Sequence, residues 1–161
     1  MILEDFSNFC DDEVLATAAG TETFEGKSLD LGGATPGDIG VGEPLYFVVM
    51  ASNDIQSATG TCTLVINLVS DDQSTIVPAD AKLHLSRFVD VTTTSSNAGD
   101  VLLCAQLPQE GEPYKEFLGV TVKPTGQALK TAGSYENKIN AFLTKAPVKV
   151  KAYADGAPTL S

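Results

Sequence analysis

The chain has 161 residues, 43% hydrophobic and 19% charged, which suits one folded domain with its own core and excludes a disordered chain. Ten Lys and Arg stand against 21 Asp and Glu, and the resulting net charge of −11 argues against free-standing binding of nucleic acid. One His, no Trp and three Cys exclude a His-rich zinc site and any disulfide framework beyond a single bridge.

The chain opens on Met1-Ile2-Leu3-Glu4-Asp5-Phe6, an acidic start without the basic residues and the apolar stretch of roughly 7–15 residues that mark a signal peptide. Residues 1–10 read as an arm, as does the tail 154–161 with its Gly156 and Pro158. Asp11–Ala19 fits a short helix or an early strand equally well, and Thr23–Leu31 is a weaker strand candidate. The glycine-rich stretch Gly32–Gly42 holds neither GxGxxG nor GK[ST], so it reads as a loop and not as a phosphate cradle. Leu45–Ala51 is apolar on both faces, as a central strand would be. It is also the longest apolar run, far short of the roughly 20 residues that span a bilayer.

Period-two alternation then dominates. Cys62, Leu64, Ile66 and Leu68 share one face, with Thr63, Val65 and Asn67 on the other. Leu83–Val91 and Val101–Leu107 are apolar runs of strand length, with the single His84 alternating with leucines and so facing outward. In Phe117–Lys123, Leu118, Val120 and Val122 point one way and Gly119, Thr121 and Lys123 the other. Ile139–Leu143 follows, and finally Val148, Val150 and Ala152 alternate with Lys149, Lys151 and Tyr153. Strands at intervals of about 10–20 residues, with turn residues and no long helical segments between them, predict a β-sandwich rather than βαβ units. The whole chain, 1–161, reads as one domain of seven to nine strands.

Chemistry is sparse. A Ser-His-Asp site would have to use His84, and no GxSxG elbow exists. The acid clusters Glu4-Asp5, Asp11-Asp12-Glu13 and Asp71-Asp72 lack the spacing of a calcium loop. Cys62 and Cys104 lie inside strand-like runs, so buried free thiols fit better than a bridge, and the chain reads as made in a reducing cytoplasm. No catalytic residue, metal or cofactor is expected. Residues 1–80 carry 14 acids and one base, and residues 81–161 carry seven acids and nine bases, so the halves hold −13 and +2. That asymmetry suggests an object with two electrostatic sides that docks in one orientation.

Several segments carry a resemblance. Met1-Ile2-Leu3, Ser28-Leu29-Asp30-Leu31-Gly32 and above all Asp38-Ile39-Gly40-Val41-Gly42-Glu43-Pro44-Leu45-Tyr46-Phe47-Val48-Val49 resemble the capsid cement (decoration) proteins of tailed phages, as on the head of the Bordetella podophage. The later order Leu107-Pro108, Tyr114-Lys115-Glu116-Phe117-Leu118-Gly119-Val120 and Lys138-Ile139-Asn140-Ala141-Phe142-Leu143 is also similar. The resemblance implies an all-β, jelly-roll-like sandwich of two antiparallel sheets without enzymatic activity. It implies a virion protein on the outer surface of an HK97-type head, bound to the major capsid protein and to itself as a homodimer on a local two-fold or a trimer. It implies no direct contact with nucleic acid or membrane. The contact residues expected on this reading are Met1, Ile2, Leu3 and Phe6 of the arm, Asp38, Ile39, Gly40, Gly42, Glu43 and Pro44 of the loop, and Lys145, Lys149 and Lys151. A carbohydrate- or receptor-binding sandwich on a virion surface is the alternative. The lack of Trp, the flattest stacking platform for a sugar, counts against it.

Overall fold

The computed structural model describes residues 8–32, 44–94, 97–108, 113–131 and 136–145. Eight strands run through these residues: β1 (Asn8–Val14), β2 (Thr23–Asp30), β3 (Tyr46–Ala51), β4 (Cys62–Asp71), β5 (Lys82–Val91), β6 (Val101–Gln106), β7 (Phe117–Thr125) and β8 (Lys138–Thr144). They form two four-stranded antiparallel sheets, β1-β8-β3-β6 and β2-β7-β4-β5. The pairs β1–β8, β2–β7, β3–β6 and β4–β5 are nested like one long hairpin rolled up, so successive pairs alternate between the sheets. This is the eight-stranded jelly-roll arrangement.

Burial follows the alternation. Cys62, Leu64, Ile66 and Leu68 of β4 and Leu118, Val120 and Val122 of β7 face inward onto Phe47, Val49 and Ala51 of β3 and Ile139, Ala141 and Leu143 of β8. Phe9 meets Phe47 edge to face, with ring centroids 5.7 Å apart. β3 lies between β8 and β6 and is buried on both faces. Its second face, Val48 and Met50, forms a separate buried cluster with Phe142 and Tyr46.

The far face of the other sheet is also largely covered. The side chain of Ile76, in the β4–β5 connection, and the ring of Phe24 both lie where a Cβ on Gly119 would sit, the ring carbon at 2.8 Å. Beside them a polar network crosses the sheet. Ser86 donates to Asn67 Oδ1 (2.7 Å), Asn67 Nδ2 donates to Glu22 (3.0 Å), and the Thr121 hydroxyl donates to the same Glu22 oxygen (2.5 Å). Thus Asn67 and Thr121, outward by alternation, are buried.

One open choice is decided and three expectations are corrected. Of Asp11–Ala19, the first four residues are the early strand, the end of β1, which stops at Val14. The arm expected over residues 1–10 does not include residues 8–10, since Asn8 already pairs with Phe142 and Cys10 with Ala141, and residues 1–7 lie outside the described residues. The alternation through Leu83-His84-Leu85 fails because Leu68 pairs with Leu85 but Val69 with Leu83, leaving His84 as the extra residue of a bulge. Leu85 therefore packs on the core while Leu83 is exposed. All three thiols are free, but of the two expected buried ones only Cys62 is; Cys104 is exposed on the edge strand β6. The strand expected over Val148–Ala152 and the C-terminal arm lie outside the described residues.

Candidate interaction surfaces

His84, Ser70, Tyr114 and Asp71 are engaged in structural contacts. His84 Nε2 lies 2.6 Å from Ser70 Oγ, which accepts a hydrogen bond from the Lys115 amide at 3.0 Å. The imidazole also packs on Tyr114, with centroids 4.2 Å apart, so this half-buried residue is not the outward-facing one the alternation predicted. Tyr114 in turn donates its hydroxyl to Pro108 O at 2.7 Å, and burial pushes its pKa up to about 12. Ser70 is fully buried, which keeps its hydroxyl from a substrate. Asp71 holds the turn that follows β4, accepting from the amides of Asp72 and Val77, and Lys115 lies 3.0 Å from Asp72. The contacts tie the β4–β5 connection to the segment leading into β7. Among the described residues no group of three His, Cys, Asp or Glu is placed to hold a metal, and no helix is long and apolar enough to cross a membrane.

The two flanks of the sandwich differ. On one, the edge strands β1 and β2 close directly on each other. Gly26 has φ +68°, and a Cβ there would run into the carbonyl oxygen of Phe9 and come within 2.9 Å of Cys10 Sγ. Glycine alone permits both that φ and that approach. Next to it the Glu25 carboxylate is buried, accepting from the Thr23 hydroxyl and the Ala16 amide. Burial, with Glu13 nearby, pushes its pKa up to about 7. Burial likewise raises the Cys10 thiol far above its ordinary range.

The opposite flank, between edge strands β5 and β6, holds a groove of about 350 Å³ lined by Arg87, Val101, Leu102, Leu103, Cys104 and Ala105. Arg87 pairs with the inward-facing Ile66, so it shares the core-facing side of β5 with Leu85 and Val89. It stands where the core reaches the surface and enters no ion pair among the described residues. Apolar exposure gathers on the same strands: Leu83 and Phe88 of β5 and Val101 of β6 are 57%, 66% and 45% exposed.

Of the contact residues expected from the sequence, Met1, Ile2, Leu3, Phe6, Asp38, Ile39, Gly40, Gly42, Glu43, Lys149 and Lys151 lie outside the described residues. The two that are described come together. Tyr46 pairs with Thr144, so Pro44, two residues before Tyr46, and Lys145, one after Thr144, reach the same end of the sheet, and both are exposed. Arg87, Val101 and Cys104 were not foreseen, because nothing local shows that two strands from different sheets will border one groove.

The charge asymmetry between the halves does not survive folding as an asymmetry between the sheets. Nesting pairs each strand of the acidic half with one from the other half, and each sheet takes two from each. Lys138 pairs opposite Val14, next to Asp12 and Glu13, and forms an ion pair with Glu136. That ion pair, with Asp12 contributing, raises its pKa.

A family model, Bbp16, matches residues 10–139 of the chain. No match is found among curated proteins or among solved structures.

Proposed function

Because the chain belongs to the Bbp16 family, whose name points to a protein of a Bordetella phage, we propose that it is a capsid cement protein, one that binds the outside of a tailed-phage head and ties neighbouring capsomers together. The observation that carries this reading is the family match over residues 10–139, taken with a jelly roll in which His84, Ser70 and Asp71 serve structural contacts.

The physics asks only for contact. Packaged DNA presses the shell outward, and a protein straddling a capsomer boundary resists separation by burying surface on both sides. One interface of about 1,600 Å² is weak or strong depending on its best contacts, but many copies on one lattice act together. A closed symmetric oligomer, a dimer on a local two-fold or a trimer, would present two or three such surfaces at once. The end of the sheet shared by Pro44 and Lys145 is the side we assign to the major capsid protein.

Two experiments decide it. Heads assembled without this protein should lose DNA at a lower temperature than complete heads; equal thermal release would refute the stabilising role. Replacing Lys145, Lys149 and Lys151 together by Glu should lower head occupancy while leaving the free domain's melting temperature within a few degrees. Unchanged occupancy would remove these lysines from the contact.

A further inference from the structure

We propose that the groove between β5 and β6 docks an extended, mainly apolar segment of a partner protein, with one carboxylate of that segment bound by Arg87. The proposal deepens the capsid reading and rests on it for the partner's identity. Three observations point to the groove. Among the described residues β6 pairs only with β3, which makes it an edge strand of the kind that can take up another strand. The lining offers the exposed Val101 and the half-buried Ala105 as apolar surface to an added strand, while Leu102 and Leu103 behind them belong to the core. Arg87, at the mouth, presents a guanidinium in no ion pair among the described residues, and its forked donors match a carboxylate in two parallel hydrogen bonds.

Charge narrows the occupant further. The chain carries −11 overall, which repels a run of acids, so the fitting segment is apolar with a single carboxylate. The opposite flank offers no such place, because β1 and β2 meet there at Gly26. A competing role for Arg87 is defensive, since an inward-pointing charge on an edge strand discourages pairing between copies.

Cys104 supplies the readout. It is the exposed thiol of the three and lines the groove, whereas Cys10 and Cys62 are buried with raised pKa values. In the free protein a maleimide should label Cys104 alone. On heads, labelling should slow at least tenfold, and Arg87→Glu should cut head occupancy about tenfold where the same charge change at Lys27, on β2, does not. Labelling equally fast on heads as in solution would overturn the groove while leaving the capsid reading intact. Absence of the wild-type protein from heads would instead refute the capsid reading.

A second arm needs no heads. The blocked heptapeptide Thr-Val-Val-Glu-Val-Val-Thr, at millimolar concentration, should slow Cys104 labelling several-fold more than its Gln counterpart, and Arg87→Gln should erase the difference. Equal effects of the two peptides would refute carboxylate recognition. If Cys104 becomes protected with rising protein concentration alone, the occupant is a second copy and the proposal fails. If Arg87→Ala promotes self-association and changes nothing else, the defensive role is the right one.

Discussion

The buried Glu25 makes folding stability depend on pH in a direction opposite to that of a salt-bridged carboxylate. Its pKa is raised from the ordinary 4.5 to about 7 in the folded chain, first by burial and then by Glu13. The folded protein therefore holds this proton more tightly than the unfolded chain does. The contribution is fully present below pH 4.5, is lost as pH rises to about 7, and stays absent above that. At roughly 1.4 kcal/mol per pH unit, the difference between the two limits is about 3 kcal/mol. Glu25→Gln keeps the shape and an oxygen to accept from Thr23 and the Ala16 amide, but it cannot ionise. Urea unfolding should show the variant and wild type nearly equal at pH 4.5, and the variant about 3 kcal/mol more stable at pH 8. In thermal melts this corresponds to a shift of about 6–12 °C at pH 8. Taking the difference between the two proteins cancels the titration of the other acids. A constant offset at both pH values, or a Gln variant less stable at pH 8, would show that Glu25 is not held against its charge.

Two further substitutions test the packing on either side of the same sheet. Gly26→Ala should cost about 2–4 kcal/mol, because the methyl group meets the Phe9 carbonyl and φ is positive; a loss under 1 kcal/mol in urea unfolding would mean that β1 and β2 do not close there. Asn67→Leu should cost about 1–3 kcal/mol by leaving Glu22 and Ser86 without their partner on a covered face. A neutral or stabilising result, measured the same way, would show that water reaches the network.

The nested topology also bears on how surfaces are assembled. Residues distant in sequence become neighbours, as Pro44 and Lys145 do through the Tyr46–Thr144 pairing. The β5–β6 groove arises differently: the two strands are consecutive in the chain but belong to opposite sheets. Loop closure is costly for such long-range pairing, so the nesting is expected to fold slowly for its size.

What the sequence determined by itself was the strand content and the class. Side-chain alternation is a local property of extended chain, so the inward residues of β4 and β7, the two-faced centre of β3 and the β-sandwich were all legible. So was the poverty in His and Trp. Only the tertiary structure decided three other matters. A single extra residue at His84 turned Leu83 outward, because a bulge depends on the partner strand's register and not on its own pattern. Covering by Phe24, Ile76 and Glu22 buried Gly119, Thr121 and Asn67 on a face that alternation assigns to solvent. And the charge of −13 and +2 in the two halves, which along the chain looks like two sides, was interleaved across both sheets by the nesting. Charge position in a jelly roll follows from which strands pair, and pairing joins the chain's first half to its second.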